Sequence, residues 1–315
     1  MKQFRLSLSS AVGVLLAAAA VGLLFSAASC SERSDETGDA SRVTPAGVKA
    51  DGYIGAKACA ECHQQEHDDW VGSHHDAAMK PATPDTVIGD FDDATFTHFG
   101  TTSRFFTRDG KYYVNTDGPD GKPADFEIKY TFGIEPLQQY LVEFPGGKVQ
   151  ALTICWDARP KEAGGQRWYH LYPDEPVPHD DALHWTGPNF TWNHMCAECH
   201  STDLQKNYDA TTDTYQTTWA EINVSCEACH GPGEAHAEWA ELYTLDQTID
   251  KGDMGLVVRL KDESRQWVMN TETGIAERLT PMGEDKVLNA CARCHSRRSQ
   301  ISDNRDAGVA FLDNY

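Results

Sequence analysis

The sequence is short of positive charge. Lysine and arginine together number 27 against 48 aspartates and glutamates, a formal charge of −21 over 315 residues. Nucleic-acid binding relies on basic stripes that neutralise phosphates, so this composition argues against a nucleic-acid partner. It suits solubility, or a redox protein partner of basic surface, and says nothing about fold. Isolated cysteines are nearly lacking too. Of ten cysteines only Cys30 and Cys155 stand apart; the other eight form four pairs with two residues between the members. A disulfide framework has no reason to repeat that spacing four times.

A histidine follows every pair. The four copies of C-x-x-C-H are Cys59-Ala60-Glu61-Cys62-His63, Cys196-Ala197-Glu198-Cys199-His200, Cys226-Glu227-Ala228-Cys229-His230 and Cys291-Ala292-Arg293-Cys294-His295. With 10 cysteines and 13 histidines in 315 residues, chance yields about 0.01 copies. A zinc ribbon or a redox dithiol explains paired cysteines but not the histidine after each pair. Covalent attachment of haem c explains both. Two thiols add across the two vinyl groups of one haem, and the adjacent histidine lies beneath the ring as proximal iron ligand. The reading is four haems, held by Cys59, Cys62, Cys196, Cys199, Cys226, Cys229, Cys291 and Cys294, with His63, His200, His230 and His295 on the irons. The second and third motifs start 30 residues apart, which places their haems close together.

Nine histidines remain for at most four distal positions. His236 leads them, because Gly231-Pro232-Gly233 stops the helix of the third motif and lets a new helix carry His236 to a different haem. One of His74 and His75 comes next; adjacent helical residues point apart, so both are not expected to serve. His184 and His194 precede the second motif and are further candidates. His67, four residues after His63, reads as a packing residue. His98, His170 and His179 fall in a stretch that reads as sheet and loop, and Met79 reads as core. Trp70, Trp192, Trp219 and Trp239 are candidates to pad the haem faces.

The N-terminus carries Lys2 and Arg5, an apolar run from Ala11 to Phe25, and small residues up to Ser29. This is the layout of an export signal over residues 1–30; uncut, the run is just long enough to span a bilayer. Ala27-Ala28-Ser29-Cys30 resembles a lipobox, at which Cys30 would carry a lipid anchor to the membrane. Residues 31–50 are small, polar and charged and read as a flexible tether. Export agrees with the motifs, since bacteria attach haem c outside the cytoplasm; the expected location is periplasmic.

Residues 51–315 read as an α+β multihaem cytochrome domain, with haem-binding helices and a β-rich insert at about 85–185 between the first and second motifs. Asp109-Gly110 between Arg104–Thr107 and Tyr112–Asn115 is a hairpin signal. Residues 125–130 alternate as a half-buried strand with Phe126, Ile128 and Tyr130 on one face. Pro145-Gly146-Gly147 marks a second hairpin that ends near Cys155, a buried free thiol. Residues 53–80 and 191–245 read as helical, residues 255–279 as a small β-meander, and a helix from Glu284 leads into the fourth motif. The end at Tyr315 reads as the front part of a longer protein.

Cys59 to His75 resembles the opening of multihaem cytochromes of the cytochrome c-554 class, and Cys226 to Gly233 with His236 is similar to another stretch of that class. Phe144-Pro145-Gly146-Gly147, His170-Leu171-Tyr172-Pro173 and His184-Trp185-Thr186-Gly187 resemble a bacterial subgroup fused to tetratricopeptide repeats, which this chain lacks. The resemblance spans about residues 52–304. It implies electron transfer through mostly bis-histidine haems, proximal roles for the four motif histidines, and distal roles for His236 and one of His74 or His75. Three functions compete: an electron carrier, an oxidoreductase acting on a small nitrogen or sulfur compound at one open haem, and a haem-bearing sensor or scaffold. For the second, His170, Tyr169, Arg167 and Lys161 are the candidate donors.

Overall fold

The computed structural model describes residues 52–260, 266–279, 285–302 and 307–315. The export signal, Cys30, the tether and the start of the helix expected from Glu284 lie outside the described residues. Among the described residues no helix is long and apolar enough to cross a membrane. The first motif sits on two short helices, α1 (Ala56–Ala60) and α2 (Gln64–Trp70). A 3-10 turn at Asp76–Ala78 then leads straight into β1 (Met79–Pro81), so the sheet begins inside the stretch expected to be helical.

Eight further strands complete an antiparallel sheet: β2 (Ala94–His98), β3 (Thr101–Arg108), β4 (Lys111–Asp117), β5 (Pro123–Phe132), β6 (Leu137–Glu143), β7 (Val149–Ala151), β8 (Ile154–Asp157) and β9 (Arg167–His170). The order is β2-β3-β4-β5-β6-β8-β9, with β1 added to β5 and β7 to β6. Asp109 and Gly110 both take positive φ, 53° and 74°, as a primed two-residue hairpin requires. The sheet ends at His170, and residues 171–190 are loop and a short 3-10 turn. Cys155 lies in β8 rather than the last strand, fully buried, and burial pushes its thiol up.

One irregularity in β5 shapes the rest. A bulge between Ile128 and Tyr130 shifts the register against β6, and an extra residue turns the following side chains to the opposite face. Phe126 and Ile128 therefore join the cluster of Phe105, Val114, Tyr140, Trp156, Trp168 and Trp185. Tyr130, expected on that same face, instead points with Phe132 into a second cluster containing Met79, Leu141, Trp192, Ala197, Leu204 and Trp219. The first cluster is the sheet's own aromatic core, with Phe105 stacked on Trp168 at 3.6 Å. The second joins the sheet to the helical region. Met79 and Trp192 are completely buried in it, as are most atoms of Trp219, so Met79 is core and these two tryptophans brace the junction.

Past the sheet come α3 (Trp192–Met195) and α4 (Ala197–His200), then α5 (Cys226–His230) and α6 (Glu234–Leu245). Residues 201–225, expected to be helical, form a hairpin of β10 (Tyr208–Asp209) and β11 (Thr214–Tyr215) with bridges Thr202–Glu221 and Gln205–Thr218. Left-handed Asp203, Asn207 and Asp213 and a run of threonines favour turns and strands over helix. The expected meander shrinks to β12 (Trp267–Met269) and β13 (Ala276–Arg278). Finally α7 (Lys286–His295) is capped by Asp285, which accepts from Leu288 N at 3.0 Å, and α8 (Phe311–Asn314) follows.

His170 ties the sheet's stability to pH. It is buried, stacks on His98 at 3.9 Å, and receives a hydrogen bond on Nδ1 from Tyr172 N at 3.1 Å. Burial, reinforced by His98, pushes its pKa down to about 4. The unfolded imidazole takes its proton near the ordinary ~6.5, so between these values the unfolded chain binds more protons. Stability is complete above pH 6.5 and falls as the pH drops toward 4. The loss from this group is about 3 kcal/mol. Urea denaturation followed by far-ultraviolet circular dichroism should show His170→Gln losing correspondingly less stability than wild type between pH 7 and 4.

Candidate functional site

The first and third motifs are tied by carboxylates. Gly55 precedes α1 and has no side chain to cap it. Its N–H donates instead to Glu227 Oε2 at 2.8 Å, Ile54 N donates to Glu227 Oε1 at 3.0 Å, and Ala56 N donates to Glu221 Oε2 at 3.1 Å. Gly233 N, in the turn after the third motif, donates to the same Glu227 at 2.8 Å. Glu227 is one of the two residues between Cys226 and Cys229, and it is 3% exposed. The α1 and α5 helices pack together, and Cys59 and Cys226 lie close enough for the Cys59 thiol to hold Cys226 below the ordinary thiol range.

The second and fourth motifs are tied by a different set. Cys294 and Cys199 lie close enough for the Cys294 thiol to hold Cys199 below the ordinary thiol range, and Cys199 Sγ lies 3.9 Å from the Arg293 carbonyl. Glu198, inside the second motif, accepts from Arg298 Nη1 at 3.2 Å and from the Tyr315 hydroxyl at 2.5 Å. The Arg298 guanidinium also reaches Cys199 Sγ at 3.5 Å and lies 4.0 Å over the Tyr315 ring. Cys229 of the third motif lies within electrostatic reach of Cys291 of the fourth. The motifs therefore follow one another in space as first, third, fourth, second, an order absent from the chain.

The histidines show the spacing that matters most. The His63 and His236 rings stand 6.1 Å apart centroid to centroid, and His75 and His295 stand 6.0 Å apart. Ordinary aromatic pairs span about 4.5–7 Å, and two imidazoles each bonded to one metal at ~2 Å stand about 6 Å apart, so both spacings leave room for a shared metal. His236 is presented by α6 after the Gly-Pro-Gly turn. Gly231 takes φ 76°, and a Cβ there would meet Ala307 at 2.8 Å. His236 Nδ1 bonds the Met254 carbonyl at 2.8 Å, and Trp239 stacks on its other side at 5.9 Å. His200 Nδ1 likewise bonds the Ala78 carbonyl at 3.0 Å, with Phe132 against its ring at 4.1 Å. Burial lowers the pKa of His200, partly offset by the bond to Ala78. In both rings Nε2 is left free to bind a metal, the arrangement that orients histidine ligands.

His75 is held through its neighbour. Asp76, 5% exposed, accepts from Gly72 N at 2.9 Å, Lys80 Nζ at 2.5 Å and Asn223 Nδ2 at 2.9 Å. The His75 carbonyl accepts from Val224 N at 3.3 Å, and Trp70 Nε1 donates to the Val224 carbonyl at 2.9 Å. A cavity of about 370 Å³ lies beside this strap, lined by His74, His75, Cys199, His200, Cys229, Cys291, Cys294 and His295 among others. The described motif cysteines are all free. Free thiol pairs, imidazole spacings that leave room for a metal, and a cavity bordered by three of the motifs fit covalently attached haem.

The other histidines go elsewhere. His184 is buried in the sheet region, 2.8 Å from Thr186 Oγ1 and 3.2 Å from Asp117, and these bonds occupy both nitrogens. His98 and His170 are stacked on each other, His179 lies against Gly121, and His194 is exposed on α3. His67 packs against Trp70. Arg167, Tyr169 and His170 belong to β9 and Lys161 to a nearby turn; none borders the cavity, which instead draws its polar lining from Tyr53, Glu135, Glu198, Asp203 and Arg293. The sequence alone does not reveal Glu227, Glu198, Arg298 or Asp76, because their roles depend on partners distant in the chain.

The family model "Cytochrome c554 and c-prime" matches residues 58–90 and 174–231, stretches that include the first three motifs. Among solved structures, the outer cell wall cytochrome OcwA aligns at 19% identity and a TM-score of 0.43, covering 84% of this chain and 44% of its own. The undecaheme cytochrome from the S-layer of Carboxydothermus ferrireducens aligns at 19% identity and a TM-score of 0.34, covering 62% and 23%. The chain thus spans less than half the length of either. No curated protein sequence matches it significantly.

Asp76→Ala removes the carboxylate that gathers Gly72 N, Lys80 Nζ and Asn223 Nδ2 and loosens the strap that carries His75. The expected cost is about 2 kcal/mol, measured by urea denaturation.

Proposed function

We propose that this chain is a periplasmic tetrahaem c-type cytochrome that transfers electrons along four sites ordered first, third, fourth, second. The observation that carries the reading is the pair of imidazole gaps, 6.1 Å for His63 and His236 and 6.0 Å for His75 and His295. Each is wide enough for one iron and joins a motif histidine to a histidine from another part of the chain. When bound, haem supplies a one-electron iron couple. The cysteine pairs would hold each ring covalently. His63 with His236, and His295 with His75, would close the first and fourth irons on both sides, which favours electron transfer over ligand binding. The hydrogen bonds to Met254 and Ala78 fix the orientation of His236 and His200, and Phe132 shields the His200 ring from water.

The export-like N-terminus supports a location outside the cytoplasm, with Cys30 as the lipid-anchoring residue. The surplus of acid supports a basic redox protein as partner. The stretches at Phe144, His170 and His184 support a place in the subgroup fused to tetratricopeptide repeats.

A second reading has its own observation. Among the described residues no histidine ring faces His200 or His230 across such a gap, and His200 borders the cavity. An open second site would bind a small nitrogen or sulfur compound there. Mass spectrometry of the exported protein should find four haems. Electron paramagnetic resonance should show low-spin signals from the first and fourth sites, and His236→Ala should convert the first to high spin. A high-spin signal in wild type that responds to nitrite or carbon monoxide selects the second reading; low-spin signals alone, with no response, select the carrier.

A further inference from the structure

The two tied pairs of motifs differ in charge. Glu227 is buried at the junction of the first and third motifs, where it accepts from three backbone N–H groups, those of Ile54, Gly55 and Gly233. Among the described residues no lysine or arginine forms an ion pair with it. Glu221 adds a second carboxylate at the same junction, on Ala56 N. Both lie within electrostatic reach of Cys59 and Cys226. At the junction of the second and fourth motifs the carboxylate of Glu198 is met by Arg298, with side chains only 11% and 13% exposed. Arg293 and Arg298 both lie within reach of Cys199 and Cys294. One junction holds two carboxylates, the other a carboxylate matched by the Arg298 guanidinium.

We infer that Glu227 and Arg298 set a step in reduction potential along the line of sites, low at the first and third motifs and high at the fourth and second. The inference rests on the electron-transfer reading above and adds a direction to it. Oxidised haem iron carries one positive charge more than reduced iron. A buried anion beside it therefore stabilises the oxidised state and lowers the potential, while a cation raises it. Glu227 and Glu198 each stand between the two cysteines of their own motif, so covalent attachment keeps each beside its haem. Backbone N–H donors fix the Glu227 carboxylate in place and neutralise no full charge, whereas the guanidinium of Arg298 cancels that of Glu198. In the partly reduced protein the electrons would reside at the fourth and second sites. Glu227 is thus a positioning residue for α1 and a potential-setting residue for the sites on either side of it.

The test is a spectroelectrochemical titration of the four-haem protein and its Glu227→Gln, Arg298→Gln and Arg298→Lys variants. Glu227→Gln should raise the lowest potentials. Arg298→Gln should lower the highest. Each change should be about tenfold in the reduction equilibrium, ~59 mV for one electron. Arg298→Lys keeps the charge and should restore the wild-type value, which a merely structural role for Arg298 would not do. If Glu227→Gln weakens attachment of the first haem, the two Arg298 variants decide alone. Variants that retain four haems but leave the potentials unmoved, or that all move them in one direction, overturn the step while the electron-transfer reading stands. A wild-type protein without reversible haem reduction overturns both.

Discussion

Two imidazoles that share an iron stand about 6 Å apart and make no contact across the gap. Nothing between the rings can hold them, so the chain must grip each from behind. His236 is gripped by the Met254 carbonyl and Trp239, and His75 by the buried network around Asp76. The strap that bears His75 also offers the Ala78 carbonyl to His200, and it continues directly into β1. Met79, completely buried, locks that strap into the junction cluster. The nine-stranded sheet is in this sense a foundation. The bulge in β5 turns Tyr130 and Phe132 toward the junction, where Phe132 meets His200.

Much of the site was legible in the sequence, for chemical reasons. Covalent attachment demands two cysteines and a histidine at one spacing, and no tertiary context relaxes that demand. The break at Gly-Pro-Gly is equally local, and it marks His236 as a residue sent to another part of the molecule. His74 and His75 could not be separated by pattern, because their difference lies in which one the Asp76 network turns toward His295. Asp109-Gly110 announced its hairpin, since both residues need left-handed backbone. The face change at β5 was not legible: a bulge leaves the alternation of Phe126, Ile128 and Tyr130 intact in the sequence and reverses it in space. The threonine-rich stretch 201–225 was misread as helix because the flanking motifs are helical, although its composition favours turns.

The ties between motifs were hidden for a different reason. Glu227 and Glu198 occupy the two positions that the attachment chemistry leaves open, so the motif itself says nothing of them. Their partners lie far away in the chain: Glu227 binds Ile54 and Gly55, and Glu198 meets Arg298 and Tyr315. These long-range bonds interleave the motifs, bringing third beside first and fourth beside second. In the proposed electron-transfer reading, an order of motifs that differs from the order in the chain means that no contiguous piece of the sequence contains a complete path. In that reading attachment, ligation and tertiary closure would be coupled, as metal binding and folding commonly are.

The most direct measurement is anomalous diffraction at the iron edge from crystals of the exported, haem-loaded protein. The account predicts four iron positions, one between His63 and His236 and one between His75 and His295, in the spatial order first, third, fourth, second. An iron at the first motif with no His236 opposite His63, or a sequence of irons that follows the chain order, would contradict it.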